Sequence, residues 1–221
     1  VTVHGNHEKR PDIVLYVNGI AIGVLELKNS RVSIDNGIRQ SLVNQKPEFI
    51  GAFFSTVQFV FAGNDTEGLK YGTIGTEEKF FLTWKEDEKE NEGYKLDKYL
   101  LKMCNKKRLI ELMYDFVLFD GGIKKLPRVH QYFGIKEAQD FARRREGGII
   151  WHTQGSGKSY SMALFAQKVR RKLGGDFTFL VLTDRTDLDN QIYKTFAGVV
   201  LVNNEKDPCR AENGAERKTL L

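Results

Sequence analysis

The chain has 221 residues, 41% hydrophobic and 29% charged, which fits one large domain or two modest ones and excludes a wholly disordered or collagen-like chain. Lys and Arg number 34 against 29 Asp and Glu, a net charge of +5 that permits a nucleic-acid partner without arguing for one. Cys104 and Cys209 form no CxxC pair and no His/Cys cluster, which speaks against a secreted disulfide scaffold or a structural zinc site and fits a reducing cytoplasm. No apolar run approaches the ~18 residues of a membrane span, and the first ten residues lack a signal-peptide core. The chain does not begin with Met, as expected of a piece of a longer protein.

The first apolar block covers residues 11–84. Asp12 opens an apolar run over 13–17, Asn18-Gly19 follows, and a second run extends from Ile20 to Lys28. Asn-Gly between two such runs predicts a β-hairpin. Glu26 and Lys28 share a face of its second strand, because side chains alternate. Two carboxylates, Asp12 and Glu26, with the Lys28 ammonium can hold a divalent metal on hard oxygen ligands. Such a metal acidifies a water and stabilises the leaving oxygen of a phosphodiester. A strict two-residue turn would pair Asp12 with Leu25 and put Glu26 on the opposite face. The site therefore requires one extra residue, in the turn or as a bulge near Gly23. Taken alone, Glu26-Leu27-Lys28 also fits a plain strand edge. A helix is predicted over 35–45, carrying Gln40. Phe49, Phe53, Phe54, Phe59 and Phe61 surround a strand over 56–62, and core packing is a better reading for them than base stacking. His4 and His7 have no further ligand at suitable spacing.

Residues 85–93 read as a solvated loop and 96–119 as a helix. Asp120-Gly121-Gly122 stops that helix, and 124–127 reads as a connector. The second block starts near Arg128. It predicts helices over 130–146, 159–173 and 186–196, with short apolar strands over 149–151 and 177–182. Helices between short apolar strands imply parallel βαβ units. No adjacent acidic pair follows Phe196, and residues 203–221 are expected to be poorly anchored without further sheet strands to pack on.

His152-Thr153-Gln154-Gly155-Ser156-Gly157-Lys158-Ser159 matches the end of the phosphate-loop pattern, between a strand and a helix, with His152 at the usual first glycine. Gly155 and Gly157 let backbone N–H groups turn around phosphate oxygens. Lys158 brings an ammonium to the β- and γ-phosphates and the Ser159 hydroxyl a ligand for Mg²⁺. The following helix N-terminus adds partial positive charge. Residues 153–159 resemble motif I of superfamily-2 helicases and DNA translocases. Upstream, Arg128 to Gln131 resembles their Q-motif, which implies that the Gln131 amide reads the adenine edge; an ordinary polar helix start is the alternative. Downstream, residues 181–191 resemble motif Ia, which implies that Asp184 and Arg185 meet the DNA backbone; a capping surface turn is the alternative.

The hairpin set, with Gln40 on the next helix, resembles PD-(D/E)xK nucleases. A nuclease of this class followed by a superfamily-2 motor resembles the restriction (R) subunit of type I restriction enzymes, over about residues 10–196. One departure is that Asn44 stands where the family often has Tyr, four residues after Gln40. The fold implied is α/β: a PD-(D/E)xK restriction-endonuclease-like domain at 1–119, a linker at 120–127, and the first part of a RecA-like P-loop domain with a parallel sheet at 128–221. Asp12, Glu26, Lys28 and Gln40 are then catalytic. Thr153, Gln154, Gly155, Ser156, Gly157, Lys158 and Ser159, with Gln131, bind ATP. Asp12, Glu26 and Ser159 are the Mg²⁺ ligands. The implied function is ATP-driven translocation on double-stranded DNA coupled to its cleavage, in the cytoplasm, with methylation and specificity subunits. A helicase–nuclease of another restriction or repair system, or a nucleotide-binding DNA clamp without cleavage, are the alternatives.

Overall fold

The structure is a computed structural model and describes residues 1–86, 93–175 and 177–199. Most of the loop expected over 85–93, and the whole of 203–221 with Cys209, lie outside the described residues. The chain is mixed α/β and divides into two units. The first comprises Val1–Tyr114 with Leu126–Val129, and the second Asp115–Lys125 with the residues from His130 onward.

The first unit is built on a five-stranded sheet in the order β1 (Ile13–Val17), β2 (Ile20–Leu27), β3 (Phe59–Asn64), β4 (Gly68–Gly72) and β5 (Leu82–Thr83). Asn18 and Gly19 both have positive φ, 49° and 81°, as the tight hairpin turn between β1 and β2 demands. β2 runs parallel to β3, and the other pairs are antiparallel. The parallel pair needs a crossover, which is supplied by helix α1 (Ile34–Asn44). Central strands covered on both faces read as continuous apolar runs. Accordingly every residue of β3 is buried, and in β2 only its two end residues are exposed.

Helix α1 starts where the Ser33 side chain accepts from Asp35 N. Its Ile34 and Ile38 pack with Ala62 of β3. Gly37 sets how close it lies: a Cβ there would sit 3.2 Å from the Ala62 Cβ and 3.4 Å from the Lys28 Cγ. Phe59 and Phe61 stack at 5.8 Å and are fully buried, and Phe54 is buried in a cluster with Val24 and Val60. These aromatics are core, as the pattern suggested.

The helix expected over 96–119 is interrupted. α2 (Lys95–Met103) ends at Cys104, and Asn105 caps a second helix, α3 (Lys106–Glu111), by accepting from Lys107 N. A side chain that satisfies a free helix N–H starts a new helix rather than continuing the old one. The chain then makes a π turn at Leu112–Phe116. In the second unit, β6 (Leu118–Asp120) and β7 (Ile123–Lys125) form a hairpin, so Lys124 and Lys125 are paired strand residues and not a connector. Gly121 and Gly122, with φ of 56° and 81°, make its turn possible.

Three helices follow: α4 (Val129–Arg144), α5 (Lys158–Lys172) and α6 (Thr186–Gly198). The parallel sheet expected between them is not formed among the described residues. Residues 149–151 and 177–182 are exposed and belong to no strand, with Ile149 91% and Trp151 90% exposed. A ladder needs a neighbour within hydrogen-bonding distance, and these two apolar runs pair neither with each other nor with another described strand.

A buried ion pair holds the second unit. Lys168 Nζ donates to Asp115 Oδ2 at 3.1 Å, with both side chains at most 3% exposed, and lies 4.5 Å from the Phe116 ring centroid. Lys172 adds a second contact to the same oxygen at 3.6 Å. Removing one member of a buried pair leaves the other charge desolvated and costs about 3–5 kcal/mol. Asp115→Ala is therefore expected to destabilise by that amount in urea unfolding, and a loss below about 1 kcal/mol would contradict the assignment.

Candidate nuclease and phosphate-binding sites

The hairpin register supplies the extra residue. Ile13 pairs with Leu25 and Leu15 with Gly23, but Tyr16 pairs with Ala21, so Ile22 is bulged next to Gly23. The shift carries Asp12 to the face of Glu26. Asp12 Oδ2 accepts from Leu27 N at 2.8 Å, anchoring the start of β1 to the end of β2.

Glu26 is fully buried. Its Oε2 accepts from Gln40 Nε2 at 2.7 Å and its Oε1 from Asn44 Nδ2 at 3.3 Å. Gln40 and Asn44 are one helical turn apart on α1, so they reach the same carboxylate. Gln40 Oε1 in turn accepts from Lys28 Nζ at 2.6 Å. Glu26 therefore sits at the floor of the site, while Asp12 and Gln40 are exposed at its mouth and Lys28 is half-buried. Sequence reading left Asn44 without a role. The spacing from Gln40 was visible, but only the depth of α1 against β2, set by Gly37, shows that the shorter amide still reaches Glu26.

Burial, and after it the neighbouring Asp12 carboxylate, push Glu26 up to about 7, with Lys28 pulling the other way. Relative to its ordinary value of 4.5, the rise corresponds to about 3 kcal/mol. A carboxyl raised in the fold binds more protons there than in the unfolded chain between about 4.5 and 7. Stability is thus fully present below 4.5 and is lost as pH rises through 7. In the presence of a chelator, melting is expected to fall on the order of 10 °C between pH 5 and pH 8, and Glu26→Gln should remove most of that slope. An unchanged slope in the variant would contradict the assignment to Glu26.

In the second unit the phosphate loop ends at Gly157, which is left-handed at φ 86° and serves as N-cap of α5; Gly155 has φ 75°. Lys158 Nζ donates to His152 O at 3.2 Å and Thr153 O at 2.9 Å, so the ammonium is folded over the loop's own carbonyls. Ser156 N donates to Thr153 O at 3.3 Å, closing the turn. Lys158, Ser159 and Gln154 line an open cavity of about 1690 Å³ bounded also by residues of α4 and α6.

Gln131 is buried, and its Nε2 donates to Gly157 O at 3.0 Å and Ser161 Oγ at 3.2 Å. Its amide nitrogen therefore braces the loop. His130 Nε2 lies 3.0 Å from Ser156 O, and its ring meets that of His152 edge-on at 4.7 Å. Burial, then the nearby His130 and Lys158, lower the His152 pKa, favouring a neutral ring at the position where other phosphate loops carry glycine. Asp184 and Arg185 are exposed immediately before α6, and the Arg185 side chain makes no cap bond to it.

Comparison with known proteins gives a match for each of two stretches of the chain. Residues 1–79 match the family described as type I restriction enzyme R protein N terminus, and residues 130–221 match the SWI2/SNF2 ATPase family. The chain is 34% identical to the type I restriction enzyme HindI endonuclease subunit of Haemophilus influenzae, over 96% of this chain and 22% of that protein. It is 29% identical to a Methanocaldococcus jannaschii protein named for the type I restriction enzyme MjaIXP endonuclease subunit, over 96% of this chain and 23% of the relative. The chain thus spans about a fifth of the length of these relatives. These matches and the named relatives support reading the chain as the N-terminal region of a type I restriction enzyme R protein.

Proposed function

We propose that this chain supplies the nuclease and the first part of the motor of a DNA-cleaving, ATP-driven restriction subunit. In this reading it acts on double-stranded DNA in the cytoplasm, together with methylation and specificity subunits. The observation that carries it is the convergence of Asp12, Glu26, Lys28 and Gln40 at one end of a bulged hairpin, in the same chain as a phosphate loop closed by its own lysine. No helix among the described residues is long and apolar enough to cross a membrane.

The donor set fits a hard divalent cation. Two carboxylates meet where one of them is buried and repelled by the other, and a cation relieves that repulsion. Asp12 and Glu26 would hold Mg²⁺ in the first unit, and Ser159 would meet the nucleotide-bound ion in the second. When bound, the metal supplies an acidified water and charge stabilisation at the scissile phosphate. The chain's own groups do the rest. Gln40 and Asn44 fix the Glu26 carboxylate, and Gln40 holds Lys28 at the site mouth, where its ammonium offsets phosphodiester charge. In the second unit Lys158 leaves its carbonyl partners for the β- and γ-phosphates, and the turned-in N–H groups of the loop complete the cradle.

The test is cleavage of closed circular duplex DNA by the full-length protein assembled with its partner subunits, with ATP and Mg²⁺ present and each in turn withheld. Cleavage that needs both supports the reading, and cleavage independent of both sinks it. The 221-residue chain by itself is expected not to turn over ATP. No adjacent acidic pair follows Phe196 to hold Mg²⁺ and position water, and phosphoryl transfer depends on such positioning. Steady hydrolysis by the purified chain that disappears with Lys158→Ala would show that these groups come from within these residues.

A further inference from the structure

The turn of the β6–β7 hairpin touches α5, which follows the phosphate loop, and α6, which lines the same cavity. Asp120 Oδ2 accepts from the Tyr160 hydroxyl at 2.5 Å, and Tyr160 directly follows Ser159 in the first turn of α5. Lys125 Nζ, from the paired strand, lies 3.4 Å from the same oxygen and 5.1 Å from the centroid of the Tyr160 ring. One residue further on, Gly121 N donates to Gly198 O at 3.2 Å. Gly198 is the last residue of α6, and a Cβ there would collide with Asp120 Oδ1. The absence of a side chain at 198 thus lets the turn seat against the end of α6. Asp120 also lines the cavity that holds Lys158, Ser159 and Arg185.

These contacts join two functional ends. α5 begins at the phosphate loop, and α6 begins at Asp184-Arg185, the segment expected to meet DNA. A hydroxyl–carboxylate bond is charge-assisted and short. Burial, and after it the bond to Asp120, raise the Tyr160 phenol, so its hydroxyl remains a donor. Displacing α6 along its axis would press its end on the hairpin turn, and the turn bears on the residue next to Ser159.

We propose that the Asp120–Gly121 turn is a strut between the DNA-contacting helix and the phosphate loop, with Asp120 and Tyr160 as positioning residues that set how strongly duplex DNA stimulates ATP turnover. This rests on the motor reading above. A scaffold role alone would lower stability, and turnover with and without DNA would fall together. A coupling role changes their ratio.

The experiment uses the full-length protein with its methylation and specificity subunits. ATP turnover is measured with and without saturating linear duplex DNA for the wild type, Tyr160→Phe, Asp120→Asn, the double variant and Lys158→Ala, with melting temperatures alongside. Tyr160→Phe keeps the ring over which Lys125 sits and removes only the hydroxyl. Each single variant is expected to keep DNA-free turnover within about twofold and to lose about fivefold or more of the DNA stimulation, the lower range of typical coupling. The double variant should lose little more than either single one, because both changes act on one bond: Tyr160→Phe removes its donor, and Asp120→Asn removes the charge that strengthens it. Unchanged stimulation in both single variants overturns the strut, as does a parallel fall of both rates with melting temperature. If Lys158→Ala leaves ATP turnover intact, the motor reading itself fails, an outcome distinct from failure of the strut.

Discussion

Lys158→Ala in the full-length protein is expected to abolish ATP turnover and, with it, cleavage at a distance from the recognition site. In the proposed reading Lys158 supplies the ammonium for the transferring phosphoryl group, and in this structure it rests on the carbonyls of His152 and Thr153. Exchanging two neutral carbonyl partners for charged phosphate oxygens would favour nucleotide binding at this residue. Removing one positioned charge or donor at a developing anion costs about 10²–10³-fold in rate. The loop itself should survive, because Gln131 braces Gly157 O and the His130 ring meets Ser156 O independently of Lys158. Melting close to wild type, with ATP hydrolysis lost, is the expected pair of results. Retained translocation on DNA would show that the phosphate loop is misassigned.

Glu26→Gln and Lys28→Ala are expected to abolish DNA cleavage by about 10³-fold or more while ATP hydrolysis persists. The figure follows from the several kcal/mol that a metal-centred charge contributes to phosphodiester hydrolysis. The two sites lie in different units of the chain, so no bond to the phosphate loop is lost in either variant. Glu26→Gln keeps the volume and removes the charge. It should also raise stability at pH 8, where the buried carboxylate of the wild type is ionised. This distinguishes loss of chemistry from loss of fold: the variant is the more stable protein and the inactive one. Asn44→Ala should show a smaller effect of the same kind, because Gln40 still holds the other oxygen of Glu26.

Much of the first site was legible in the sequence. Asn18-Gly19 fixed the hairpin, and the demand that Asp12 and Glu26 share a face required a bulge, which the structure places at Ile22. The partner of Glu26 at Asn44 was not legible, since reach depends on how deeply α1 seats against β2. The break at Asn105 was missed because the apolar period of 96–119 continues across it, whereas capping by one side chain ends the helix. The hairpin at Leu118–Lys125 was hidden by its two glycines and its lysines, which look like a connector unless their pairing is seen. The parallel sheet was inferred from apolar runs whose ladders need partners, and neither run is paired among the described residues. Gln131 is expected at an adenine edge by likeness; that its Nε2 also bonds Gly157 O and Ser161 Oγ was not legible in the sequence.

The most direct measurement is the rate at which the full-length protein, assembled with its partner subunits, linearises closed circular duplex DNA when Glu26 is replaced by Gln. ATP turnover is followed in the same reaction. DNA-dependent ATP hydrolysis at close to the wild-type rate with no linear product is the expected result. Linear product at the wild-type rate from Glu26→Gln would contradict it.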